Sequence, residues 1–306
     1  MPTIRLSLLS LLLVACSPGA NAGSSGVPGR PDTTTRSQRL ISADTWGYQL
    51  TGYGGALLRP VQASSFDLVV VDAGDDDGTP WTPAQLRAAA TRPAGEAARL
   101  MIGYLSIGAA ESYRRYWETR WASTPPPWLL QEDPDWPGSY NVEYRTPEWK
   151  AITLRQLDLI IDSGFDGVYL DLVDAYQRNP QRVTARADMV HWVCQVAAHA
   201  KKHDPHFLII PQNASSLIRD PGYAPCVDAL GNEETLVYAM NQPTEAARRR
   251  ELLADYTLWR ALGKPVFTID YADQEPLITQ TYARARAASL VPYVTIRNVN
   301  VLTPGR

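Results

Sequence analysis

The sequence predicts an α/β fold, a single (β/α)8 TIM barrel that follows an export signal and a flexible tether. Three observations carry that expectation. Eight short apolar runs recur between residues 46 and 296, as buried parallel strands do. Helical patterns or long loops separate them. About 265 residues lie beyond residue 41, close to the ~250 typical of one such barrel. A doubly wound open sheet is the competing arrangement. It generally has fewer strands, and no Gly-rich phosphate loop follows the first run here.

The chain opens MPTIRLSLLSLLLVAC. Arg5 precedes an apolar run, Leu8 to Ala15, interrupted only by Ser10. That run is far shorter than the roughly 20 residues of a spanning helix, so it reads as a signal peptide. Leu13-Val14-Ala15-Cys16 resembles the bacterial lipobox, in which the cysteine is lipidated and becomes the first residue. A plain secretory signal with an incidental cysteine is the alternative. The expected product is exported and lipid-anchored through Cys16 to the cell envelope, or secreted. Loss of residues 1–15 removes Arg5 and takes the net charge from −3 to −4.

Residues 17–35 hold Gly, Pro, Ser or Thr at 13 of 19 positions, too few apolar groups for a core. The expected boundaries are a signal peptide over 1–15, a lipidated cysteine and disordered linker over 16–41, and one folded domain over 42–306. Cys194 and Cys226 remain as an even pair in an oxidising compartment. A disulfide and two buried thiols are both open readings.

The expected strands are Trp46–Leu50, Phe66–Asp72, Leu100–Ile107, Gly167–Leu172, Phe207–Pro211, Val227–Leu230, Pro265–Ile269 and Pro292–Ile296. Helices are expected at Pro83–Ala90, Pro147–Ser163, Ala187–Lys202, Thr244–Leu262 and Thr279–Ser289. The second of these carries Ile152, Leu157, Ile160 and Ile161 at helical spacing, with Gly164 placed as its C-cap.

Composition narrows the function. With 45% hydrophobic and 20% charged residues, the chain is neither disordered nor a polytopic membrane protein. A net charge of −3 leaves no basic footprint for nucleic acid. A monomer is expected, touching a membrane only through lipid at Cys16. Four histidines and three cysteines offer little for zinc. His199 and His203 have metal-compatible spacing, but their helix belongs to the outer ring, so all four histidines read as surface or packing residues. Asp75-Asp76-Asp77-Gly78 is no complete calcium loop and reads as a solvated turn. No Gly-x-Ser-x-Gly elbow and no His-Glu-x-x-His is present. No metal or cofactor is expected.

Active sites of this fold form at the carboxyl ends of the strands, and acids gather there. Asp72 ends the second strand, Glu111 lies just beyond the third, Asp171 ends the fourth with Asp174 a turn later, Glu233 and Glu234 follow the sixth, and Asp270 follows the seventh. A single acid after a strand is commonly a helix N-cap. Several acids aimed at one point are not. Closely spaced carboxylates repel, so one holds its proton while another stays ionised, which is what glycoside hydrolysis needs. Gln212 and Asn213 end the fifth strand and can fix hydroxyls. The segment Ser112 to Lys150 holds five of the nine tryptophans. It reads either as a stacking platform for sugar rings or as a loop with its own aromatic core.

Several stretches together resemble glycoside hydrolase family 114, the endo-α-1,4-polygalactosaminidases, whose catalytic domain is a TIM barrel. They are Trp46-x-Tyr48-Gln49-Leu50, Ser106-Ile107-Gly108-x-x-Glu111-x-Tyr113-Arg114-x-Tyr116-Trp117, Gly164–Asp171 and Asp270-Tyr271. The resemblance runs from about residue 44 to 300. It implies a catalytic aspartate at Asp171 and a glutamate at Glu234, in the register Glu234-Thr235-Leu236-Val237-Tyr238, with Glu233 the alternative. Asp72, Glu111, Tyr113, Gln212, Asn213 and Asp270 are expected to bind substrate, with Trp46 and Tyr271 stacking on sugar. The implied substrate is an amino-sugar-rich polysaccharide, cationic where deacetylated and therefore drawn to an acidic cleft. The chain departs from the family at Ala109, where a second acid is common, and at Tyr144-Arg145, where Tyr-Trp is common. A glycan-binding lipoprotein without turnover is the rival expectation, and a metal-dependent hydrolase a third.

Overall fold

The computed structural model describes residues 35–93 and 96–306. The expected signal peptide, the lipobox with Cys16 and the Gly/Ser-rich stretch up to residue 34 lie outside these residues.

Eight parallel strands form the barrel: β1 (Trp46–Gln49), β2 (Leu68–Val71), β3 (Leu100–Ser106), β4 (Gly167–Asp171), β5 (Leu208–Pro211), β6 (Leu230–Glu233), β7 (Val266–Tyr271) and β8 (Val291–Thr295). The first five pair in order, and β6, β7 and β8 form a second ladder. A parallel bridge between Gln212 and Gly231 joins β5 to β6, and β8 packs against β1 to close the ring. β2 is Leu-Val-Val-Val with every residue buried, as expected of a strand covered on both faces.

Seven α-helices occur among the described residues: α1 (Arg36–Ile41), α2 (Arg59–Ala63), α3 (Pro83–Ala90), α4 (Pro147–Ser163), α5 (Ala185–His203), α6 (Ala246–Ala261) and α7 (Glu275–Ala287). Among the described residues, no helix is long and apolar enough to cross a membrane. Between β5 and β6 the chain makes two 3₁₀ turns, Ser215–Arg219 and Ala224–Cys226. A disulfide between Cys194 and Cys226 ties α5 to the second turn, which resolves the open reading of that pair.

The start of the folded domain, the start of α7 and the position of the sixth strand differ most from expectation, each for a physical reason. The folded domain starts before residue 42, within the segment expected to be linker. Thr35 and Gln38 form a capping box for α1, and Leu40 is buried. Arg36 anchors the helix by donating to Asp166 at 2.7 Å. One buried apolar side chain is too little to register as a pattern. α7 begins four residues early because Pro276 sits in its first turn, where proline is favoured. The sixth strand is Leu230–Glu233 rather than Val227–Leu230. Its residues after Leu230 are polar or glycine, so an apolar run misplaces it. Gly231 is there because a Cβ would lie 2.1 Å from the Tyr169 hydroxyl oxygen in the barrel centre.

The segment between β3 and α4 folds as a three-stranded antiparallel sheet, with Ser139–Val142 between Ala109–Glu111 and Leu129–Glu132. Trp117, Trp121, Trp128 and Trp149 pack in a chain of rings with centroids 5.0–5.4 Å apart. Trp117 also meets Tyr140 at 4.9 Å. These four are the loop's own core. Trp136 is 48% exposed and stands at the cleft rim under the Arg297 guanidinium. The loop therefore has its own aromatic core, and Trp136 stands outside it.

Candidate active site

A cleft of about 440 Å³ opens at the carboxyl ends of the strands. Three strand ends supply its centre by the same device. Asp171 ends β4, Gln212 follows β5, and Glu233 ends β6. The next residue in each case, Leu172, Asn213 and Glu234, has positive φ of 56°, 61° and 55°. A non-glycine residue there is uncommon and costs energy, and such strain clusters at functional sites.

Glu233, not Glu234, lines the cleft with Asp171. The left-handed turn at Glu234 sends its side chain away. Its Oε1 accepts from the Ala239 N–H at 3.0 Å. The sequence register favours Glu234, whereas the structure places Glu233, the alternative, in the cleft.

Glu233 is held by three donors. Gln212 Nε2 and Asn213 Nδ2 donate to Oε2, the latter at 3.0 Å, and the Tyr271 hydroxyl donates to Oε1. Asn213 Oδ1 also accepts from the Glu233 N–H at 3.0 Å. These contacts fix the orientation of the Glu233 carboxylate. Asp171 accepts from the Tyr104 hydroxyl at 2.6 Å and from the Leu172 N–H at 2.6 Å. Burial pushes its carboxyl up to about 7, and the Glu233 charge adds to the rise against those two donors.

Asp174 also lines the cleft, and burial pushes it up from the ordinary value. Across from it, Arg114 donates to Asp72 Oδ1 at 2.7 Å and to Glu111 Oε2 at 2.6 Å. The Tyr113 hydroxyl donates to Glu111 Oε1 at 2.5 Å. Asp72 is raised by burial and lowered in part by Arg114. Seven carboxylates and three arginines line the whole cleft. Arg114 is committed to two of the acids, and Arg178 lies 3.2 Å from Asp133. The remaining excess is negative.

The structure brings together Asp72, Glu111, Tyr113, Asp171, Gln212, Asn213 and Tyr271 of the expected residues. Besides Glu234, two others are elsewhere. Trp46 is buried at the start of β1, stacked on Tyr169 at 6.2 Å, and its indole donates to the Val291 carbonyl. Only the carboxyl end of a strand reaches the cleft, so Tyr48, two residues on, lines it instead. Asp270 lies inside β7, not after it, and is fully buried. Neighbours on a strand point to opposite sides. Tyr271 turns to Glu233, while Asp270 Oδ1 accepts from the Leu236 and Val237 N–H groups at 2.7 and 2.8 Å. Its role is to fix the loop after β6, and burial pushes it up to about 6.

Sequence reasoning missed Tyr104, Arg114, Arg178 and Arg297 as cleft residues. Tyr104 was legible in principle. It stands two residues before Ser106 on β3, on the same side, and pairs in register with Tyr169.

A family model described as glycoside-hydrolase family GH114 matches residues 29–304. An uncharacterised protein of Deinococcus radiodurans is 55% identical over 303 residues, covering 95% of this chain and 96% of that one. One from Thermotoga maritima is 31% identical over 267 residues, covering 82% and 80%. Among solved structures, Aspergillus fumigatus Ega3 in complex with galactosamine is similar with a TM-score of 0.65 at 20% identity, covering 89% of this chain and 99% of that one. The glycoside hydrolase domain of PelA from Pseudomonas aeruginosa has a TM-score of 0.63 at 18% identity, covering 85% and 97%. The fold, the match over nearly all the described residues and the two-carboxylate cleft agree: the chain is a glycoside hydrolase and belongs to family GH114.

Proposed function

We propose that this enzyme cleaves within a galactosamine-containing polysaccharide, with Asp171 and Glu233 as its catalytic carboxylates. The observation that carries the reading is their placement in one cleft, with Asp171 raised to about 7 beside an anchored Glu233. Glycoside hydrolysis needs one carboxylic acid to protonate the leaving oxygen and one carboxylate at the anomeric carbon. Asp171, raised to about 7 by burial, can hold the proton for the leaving oxygen while Glu233 stands at the anomeric carbon. The acidic excess of the cleft favours a protonated amino sugar over a neutral or anionic one. The Ega3 structure with galactosamine supports that class of sugar. Gln212, Asn213 and Tyr271 hold Glu233 in place, and Tyr104 does so for Asp171. Tyr113 and Trp136 offer exposed rings at the rim for sugar faces.

We propose further that Cys16 carries lipid and tethers the enzyme to the cell envelope. Mass spectrometry of the membrane fraction tests this, since Cys16→Ser releases the protein if the tether is lipid.

The test of the activity uses α-1,4-linked galactosamine polymer in a partly deacetylated and a fully N-acetylated form. Mass spectrometry of released oligosaccharides should show products from the deacetylated polymer. Binding without products would favour the glycan-binding alternative.

A further inference from the structure

The outer wall of the barrel carries a second constellation. His199 and His203 lie one turn apart near the carboxyl end of α5, and Asp158 faces them from α4. Their ligand atoms all lie within 4.8 Å of one another. Asp158 Oδ1 is 2.6 Å from His199 Nε2 and 3.9 Å from His203 Nε2. The imidazole centroids are 5.1 Å apart.

We propose that Asp158, His199 and His203 form a binding site for a divalent transition metal of the zinc class, linking α4 to α5. Two imidazoles and a carboxylate are ligands such ions accept. Metal–ligand bonds of about 2.0–2.1 Å place tetrahedral donors roughly 3.3 Å apart. The 2.6 Å contact must open and the 3.9 Å one close, which small rotations of three partly exposed side chains achieve. Water takes the fourth position. His199 offers Nε2 as a lone pair when its ring proton sits on Nδ1. The carbonyl end of α5 favours a cation. Lys201, in the same turn, is drawn to Asp228 at 3.1 Å. The disulfide keeps Cys194 and Cys226 from competing for the ion.

Helices of a barrel run back from the carboxyl ends of the strands, so the carboxyl end of α5 lies toward the face opposite the cleft. The site therefore acts on stability and not on cleavage. An ion that binds only the folded state raises its stability by mass action.

The test is calorimetric titration of the metal-stripped, untagged full chain with zinc chloride, alongside thermal unfolding. One equivalent should bind at micromolar or tighter affinity and raise the Tm. His203→Ala, at a half-exposed position, should weaken binding at least tenfold, and so should Asp158→Ala. Cleavage rates should be the same with and without zinc. Absence of uptake by the wild type would overturn the proposal, as would unchanged uptake in the His199→Ala/His203→Ala double variant.

Discussion

The Tyr104 hydroxyl donates to Asp171 at 2.6 Å from the neighbouring strand, and it opposes the two influences that raise that acid, burial first and the Glu233 charge second. Tyr104 thus holds Asp171 lower than burial and the Glu233 charge alone would.

A pH profile follows. The proposed reaction needs one acid protonated and the other ionised. Activity should fall above about pH 7 as Asp171 loses its proton. In Tyr104→Phe the hydrogen bond that favours ionisation is gone, so the alkaline limb of kcat/KM should move to higher pH. A limb that stays put would remove Tyr104 from this role.

Stability should move the opposite way from activity in Asp171→Asn. The folded-state value of about 7 exceeds the ordinary 3.8, so the folded protein binds more protons than the unfolded one between about pH 4 and 7. Stability from this group is present below that window and lost as pH rises through it. The asparagine variant carries no such cost. It should be more stable than wild type above pH 7, by roughly 4 kcal/mol, with the gap closing toward pH 4. Urea unfolding at pH 4 and 8 measures this, and a gap independent of pH would contradict it.

Two tryptophans should separate in their effects. Trp46 is barrel core, so Trp46→Ala should cost about 3–5 kcal/mol. Trp136 is half-exposed at the cleft rim, so Trp136→Ala should leave the Tm nearly unchanged and raise KM. Thermal melts and saturation kinetics on the two variants decide it.

Gly231→Ala should be severely destabilising, by about 2 kcal/mol or more. The added carbon would meet the Tyr169 ring inside the barrel. The double variant Gly231→Ala/Tyr169→Phe should recover little, because ring carbons as well as the hydroxyl lie within 2.4 Å. Full recovery would place the clash at the oxygen alone.

Much of the fold is legible in the sequence because parallel barrel strands are buried on both faces and so announce themselves as apolar runs. Leu68–Val71 and Leu100–Ser106 show this. β6 escaped because its cleft-facing end is Gly-Asn-Glu. That single shift also left the choice between Glu233 and Glu234 to a motif register. The turn conformation at Glu234 turns Glu233 into the cleft, and no periodicity encodes it. Asp270 and Trp46 failed for a related reason. Position along a strand, and which side each residue faces, separates cleft from core. A strand end misjudged by two residues puts a buried loop anchor on the list of substrate ligands.

The most direct test of the account compares Glu233→Gln with its neighbour Glu234→Gln on the same deacetylated polymer. Glu233 shares the cleft with Asp171, whereas Glu234 accepts from the Ala239 N–H outside it. Glu233→Gln should lose about 10²–10⁴-fold in kcat, and Glu234→Gln less than about tenfold. The reverse order, or equal mild losses in both, would contradict the assignment of Glu233 as the partner of Asp171.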